Sequence, residues 1–90
     1  MANPFHLEIL TPRKRVFSGS ITSLVAPGEL GYLGILAHHA PLVTTLVPGK
    51  VTWRGPEGTA RTMRSKGGGL LEVYRNKATL LADEIAEEVG

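Results

Sequence analysis

A chain of 90 residues has room for one small domain and not for two, because domains usually run to roughly 100–150 residues. Apolar residues at 42% supply an ordinary globular core, and the absence of cysteine excludes disulfide scaffolds, thiol nucleophiles and cysteine-based zinc sites. The formal charge of +2 is uneven: residues 1–66 hold eight Lys/Arg against Glu8, Glu29 and Glu57, and residues 67–90 hold Arg75 and Lys77 against Glu72, Asp83, Glu84, Glu87 and Glu88. A basic body with an acidic tail suits nucleic acid, anionic lipid or an acidic protein partner, and charge alone does not choose among them.

The start, Met1-Ala2-Asn3-Pro4, lacks the basic and apolar regions of a signal peptide. No apolar run approaches the roughly 18–20 residues of a membrane span, so neither a signal peptide nor a transmembrane segment is expected. Eleven glycines and six prolines, about 19% of the chain against a usual value near 12%, then cut it into lengths suited to strands. The uninterrupted stretches 5–11, 13–18, 20–26, 35–40, 42–47, 50–54 and 59–66 each hold five to eight residues, too few for a typical three-turn helix. Phe5, Leu7 and Ile9 alternate with His6 and Glu8, and Val51 and Trp53 alternate with Thr52 and Arg54, the signature of half-buried strands. Ile21, Leu24 and Val25 in stretch 20–26 define no clean face.

Gly55-Pro56-Glu57-Gly58 predicts a hairpin between the Val51 strand and residues 59–65. Residues 70–82 predict another, turning at Arg75-Asn76-Lys77, since asparagine tolerates the left-handed backbone of a tight turn. After Asp83 come good helix formers, Glu84-Ile85-Ala86-Glu87-Glu88-Val89, which predict one helical turn at the C-terminus. The whole reads as an all-β fold, a flattened antiparallel β-sandwich or barrel of about ten short strands.

Candidate chemistry is sparse. His38 and His39 are adjacent, so on a strand they point to opposite faces and cannot chelate one ion, and no metal site is expected. His6, among alternating apolar residues, reads as a solvent-facing strand position. Ser18, Ser20, Ser23 and Ser65 lie in no nucleophile elbow and have few carboxylates near them in sequence, so no catalytic residue is expected and the chain is not read as an enzyme. Gly67-Gly68-Gly69 precedes no Lys-Ser/Thr pair. Gly28, Gly31 and Gly34 are not spaced as a dinucleotide fingerprint, so no cofactor is expected. Both glycine clusters read as turns or bulges. Arg13-Lys14-Arg15 with Arg54, Arg61, Arg64 and Lys66 leaves one alternative, a small β-barrel nucleic-acid-binding module. Such modules set stacking aromatics beside the charge, whereas the five aromatics here include Phe5 and Phe17, which read as core.

The ordered blocks are more specific. Phe17-Ser18-Gly19, Pro27-Gly28-Glu29-Leu30-Gly31-Tyr32-Leu33-Gly34-Ile35-Leu36, His39-Ala40-Pro41-Leu42 with Pro48-Gly49, Gly68-Gly69-Leu70-Leu71-Glu72-Val73 and Leu80-Leu81-Ala82-Asp83 together resemble the N-terminal domain of the epsilon subunit of F-type rotary ATP synthases, from about Phe5 to Glu84. The resemblance implies a ten-stranded sandwich at the foot of the central stalk. It implies a non-catalytic rotor subunit that joins the gamma subunit to the c-ring and supports the coupling of proton transport to ATP synthesis. Its place would be peripheral, on the cytoplasmic face of a bacterial energy-transducing membrane, with the membrane met only through the complex and no nucleic acid bound.

By the same resemblance Glu29, Leu30, Gly31, Tyr32 and Leu33 face the c-ring, and His39, Ala40, Pro41 and Thr44 face gamma. Tyr32 and His39 are expected to matter more for docking than Arg13-Lys14-Arg15, which reads as a solvated edge or turn. Two departures stand out. Ala37-His38 occupies the place of Pro-Gly or Pro-Asn in many relatives, and Tyr32 stands where some have glutamate. The family form continues into a two-helix hairpin; this chain, ending at Gly90, is read as one sandwich domain over 1–90 without it. The reading therefore assigns the chain assembly and coupling, with neither an inhibitory helix nor an ATP site.

Overall fold

Strand β1 (Phe5–Leu10) realises the alternation seen in the sequence: Phe5, Leu7 and Ile9 are buried, while His6 between them is exposed. A computed structural model describes residues 3–87, and nine further strands follow: β2 (Arg15–Ile21), β3 (Ser23–Gly28), β4 (Gly31–Ile35), β5 (Leu42–Leu46), β6 (Gly49–Arg54), β7 (Ala60–Ser65), β8 (Gly69–Tyr74), β9 (Lys77–Ala82) and β10 (Ile85–Glu87). Strands this short, each with one buried face, must stack two layers to close a core.

They do so from one continuous sheet in the order β10-β7-β6-β3-β5-β8-β9-β1-β2, with β4 on the other edge of β3. The sheet bends at the step from β3 to β5, where a single bridge, Gly28 to Leu46, joins the two halves, reinforced by the Val47 N–H donated to the Pro27 carbonyl at 2.9 Å. One wing is β10-β7-β6-β3-β4 and the other is β5-β8-β9-β1-β2. Both feed a common core, including Leu24, Ile35, Val51, Trp53 and Met63 from the first and Leu7, Ile9, Leu46, Leu71 and Leu80 from the second.

The chain crosses between wings at tight corners. Thr22 separates β2 from β3, and its N–H donates to the Arg54 carbonyl at 2.8 Å. This corner explains the missing clean face of 20–26: Ile21 belongs to one wing, Leu24 and Ala26 to the other, and all three are buried. The two expected hairpins form, β6 with β7 and β8 with β9. In the second, Arg75 (φ 48°) and Asn76 (φ 62°) are both left-handed, as a two-residue type I′ turn requires.

Three details differ from the sequence expectation. Within an otherwise antiparallel sheet, β1 pairs with β9 in parallel, His6 to Lys77 through Leu10 to Leu81; the β8–β9 hairpin and the β1–β2 hairpin meet edge to edge, which no local pattern reports. The expected helical turn is instead strand β10, pairing Ile85, Ala86 and Glu87 with Ser65, Arg64 and Met63. A free edge on β7 and a half-buried Ile85 on the core override the helix propensity of the segment. Residues 88 and 89 of that expectation lie outside the described residues. Phe17, expected in the core, is half-buried at its margin: its ring centroid lies 4.9 Å from that of Trp53, and the Arg61 guanidinium stands over both rings.

Candidate partner-docking site

The β3–β4 hairpin brings Glu29 and Leu30 to a two-residue turn, closed by the register pair Gly28 and Gly31. Gly31 has φ 125°, a conformation open to glycine and hostile to other residues. Leu30 at the tip is fully exposed. A leucine projected wholly into water is the sort of apolar group that a partner surface covers.

The next two residues point to opposite sides. Tyr32 faces outward, 58% exposed, beside its register partner Pro27, and its hydroxyl accepts the Lys50 N–H at 2.9 Å. Leu33 turns inward and packs on the core. The five residues assigned to the c-ring contact thus divide: Glu29, Leu30 and Tyr32 present side chains outward, Gly31 shapes the turn, and Leu33 anchors it.

Residues 36–41 join β4 to β5 at the far end of β4. The His39 N–H donates to the Leu36 carbonyl at 3.3 Å, and His38 between them has φ 64°, so the turn is left-handed at its third position, as in a type II turn. His39, Ala40 and Pro41 are exposed, and the His39 ring nitrogen Nδ1 lies 2.7 Å from the Ala40 carbonyl oxygen. Thr44 sits apart from these. It pairs with buried Leu71 on the core side of β5, and the outward position is held by Val43, 64% exposed. Leu36 and Tyr74 are exposed as well. Pairing of Leu42 with Val73 sets Pro41 beside Tyr74, so an apolar cluster adjoins the loop.

Sequence reading missed Leu36, Val43, Tyr74 and Asn76. The first three required knowing which side of β4, β5 and β8 faces water; the alternation in Leu42-Val43-Thr44-Thr45-Leu46 carries that information once Leu46 is known to be buried. Asn76 signals only its own turn; its distant partners carry no local signal, because they lie far away in sequence.

The remaining candidates do not converge. His6 is exposed, with Nε2 3.1 Å from the Ser18 hydroxyl. Among the described residues no group of three or more His, Cys, Asp or Glu could hold a metal ion. Ser65, buried, donates its hydroxyl hydrogen to the Gly67 carbonyl at 3.1 Å. Arg13 and Lys14 are exposed in the turn between β1 and β2, held by the Thr11 N–H donating to the Lys14 carbonyl at 2.9 Å. Arg15 pairs with Glu8 at 2.9 Å, and Lys77 stands 3.6 Å from the same carboxylate. No helix among the described residues is long and apolar enough to cross a membrane.

The architecture is thus that of a β-sandwich domain with exposed apolar turns at the two ends of one strand. Residues 4–88 match the family described as ATP synthase, Delta/Epsilon chain, beta-sandwich domain, and the chain belongs to that family. It is similar to the ATP synthase epsilon chain of Dichelobacter nodosus, 41% identical over 86 residues that cover 96% of this chain and 59% of the relative. It is similar also to that of Pelotomaculum thermopropionicum, 45% identical over 85 residues that cover 92% and 62%. The chain spans about three fifths of the length of these curated relatives. Among solved structures, a chain of the Euglena gracilis mitochondrial ATP synthase (OSCP/F1/c-ring, rotational state 1) superposes with a TM-score of 0.89 at 18% identity, over 97% of this chain and 56% of that one. A chain of the Tetrahymena thermophila mitochondrial ATP synthase central stalk and c-ring gives 0.78 at 15% identity, over 96% and 68%. At such identities the likeness is one of fold.

Proposed function

We propose that this chain is a non-catalytic rotor subunit of an ATP synthase, joining the gamma subunit to the c-ring at the cytoplasmic face of a bacterial energy-transducing membrane. The β3–β4 tip, with Glu29, Leu30 and Tyr32, meets the c-ring. The 36–41 loop, with His39, Ala40 and Pro41, meets gamma, and Thr44 supports it from within β5. The observation that carries the reading is the separation of these two surfaces. Between Tyr32 and the 36–41 loop the chain runs through Leu33, Gly34 and Ile35 of β4, about 13 Å from residue 32 to residue 36 at roughly 3.3 Å per residue, so two partners can be held at once without competing for one surface. Family membership and relatives named as ATP synthase epsilon chains support the identity of those partners.

The nucleic-acid alternative meets an obstacle. The exposed aromatics Tyr32 and Tyr74 lie on different wings, while Trp53 and Phe5 are buried, so no stacking row accompanies the basic residues. The test is co-purification of the tagged chain from membranes with gamma and the c-ring, set against retention of single-stranded oligonucleotide at ~0.15 M salt, where weak electrostatic binding is screened. Both stalk partners in the eluate are expected. Oligonucleotide retained with gamma absent would overturn the reading.

A further inference from the structure

Asn76 holds together three segments that are far apart in sequence. Its side-chain Oδ1 accepts the His38 N–H at 2.7 Å, its Nδ2 donates to the Pro4 carbonyl at 3.3 Å, and its own carbonyl accepts the His6 N–H at 3.2 Å. The turn that Asn76 occupies asks only for positive φ, which glycine supplies at least as well. Its side-chain amide therefore serves the segments that it reaches rather than its own hairpin.

The 36–41 loop depends on that contact. Its internal hydrogen bond, from the His39 N–H to the Leu36 carbonyl, is long at 3.3 Å, while the bond to Asn76 is short and enters at His38, the left-handed residue of the turn. The loop is tied at its apex to the β8–β9 turn, at the end of the wing where the register sets Pro41 beside exposed Tyr74.

We propose that Asn76 is a positioning residue for docking: it fixes the 36–41 loop in the conformation that the gamma-type partner binds, so that His39 and Pro41 need not be ordered during association. The inference rests on the functional reading above. A loop already ordered before binding loses less conformational freedom on association, and one neutral hydrogen bond used in this way corresponds to up to about tenfold in affinity.

Two variants of the full chain separate this role from folding. Asn76→Gly keeps the turn geometry and removes both side-chain arms; Asn76→Asp keeps the acceptor for His38 and removes the donor to Pro4. Binding to purified gamma should fall about tenfold in Asn76→Gly and be largely retained in Asn76→Asp. Amide exchange at His38 and His39 should quicken in Asn76→Gly alone, with the β8 and β9 amides still protected. Parental affinity in Asn76→Gly, or unchanged exchange at His38, would overturn the proposal. Asn76→Asp as weak as Asn76→Gly would move the role to the Pro4 arm and overturn the assignment to His38. Failure of the parent chain to bind gamma would instead overturn the functional reading and, with it, the partner named here, while exchange at His38 would still show whether Asn76 orders the loop.

Discussion

His38 carries a non-glycine side chain at φ 64°, at the position where the resemblance noted in the sequence implies glycine or asparagine. Left-handed backbone of this kind favours glycine or asparagine, and here histidine bears the strain. Relief of that strain by glycine is worth roughly 1–2 kcal/mol, offset by about 0.5–1 kcal/mol of extra chain entropy. His38→Gly should thus stabilise the domain by ~0.5 kcal/mol, and β-branched His38→Val should destabilise it by at least ~1 kcal/mol. Urea midpoints measure both, and a glycine variant less stable than the parent would contradict the account. Tyr32 carries a second residue-scale lesson. From sequence it reads as a contact residue alone, yet its hydroxyl also satisfies the Lys50 N–H. Tyr32→Phe keeps the exposed ring and removes that acceptor, so it should cost about 1 kcal/mol of stability while leaving c-ring association of the folded protein near the parental level. Tyr32→Ala removes both and cannot separate them.

Elements were legible where the signal is local. The β8–β9 hairpin follows from alternation and from Asn76 in its turn; β6–β7 follows from Gly55 and Gly58 between the alternating Val51-Trp53 strand and the run 59–65. The tail was not legible, because Glu84-Ile85-Ala86-Glu87 has helix-forming residues and becomes a strand only through the waiting edge of β7. The corner at Thr22 was hidden for a related reason: consecutive apolar residues on its two sides enter the same core from opposite wings. The glycine run before β8 reads in sequence as permitting turns, but at Gly69 the need is for space. A Cβ there would lie 2.2 Å from the backbone carbonyl oxygen of Leu81, and backbone cannot yield as a side-chain tip does. Gly69→Ala should therefore destabilise the domain by on the order of 3 kcal/mol, read as a lowered urea midpoint. A loss below ~1 kcal/mol would show that the β8–β9 ladder is looser than its register implies.

The molecule as a whole is one bent sheet whose wings share a core, so neither wing has a complete hydrophobic interior of its own. Fold class and strand number followed from composition, the spacing of glycine and proline, and the family resemblance; the order of strands did not, because it is set by edges that meet only after the sheet bends. The docking regions were located through the resemblance, and the division of labour within them (Leu30 outward, Leu33 inward, Val43 rather than Thr44 on the surface) required the register. The basic residues are dispersed by the same bend. Lys50, Arg54 and Arg64 belong to one wing, while Arg15 and Lys77 flank Glu8 on the other.

The parallel pairing of β1 with β9 has a consequence in time. Strand β1 finds β2 as soon as both are made, but its other edge stays open until β9 has been made, some 70 residues later by the register of Leu7 with Ala78. Closing so long a loop is entropically unfavourable until the contacts beyond it form, and sheets built from distant pairings fold slowly for that reason. Synthesis should therefore yield an exposed, unfinished sheet until β9 has been made, with closure concentrated at that point. An arrest-peptide force profile should show its main pull only after Ala82 has cleared the exit tunnel. A comparable pull with only β1 to β4 exposed would mean that half of the sandwich folds without its other wing.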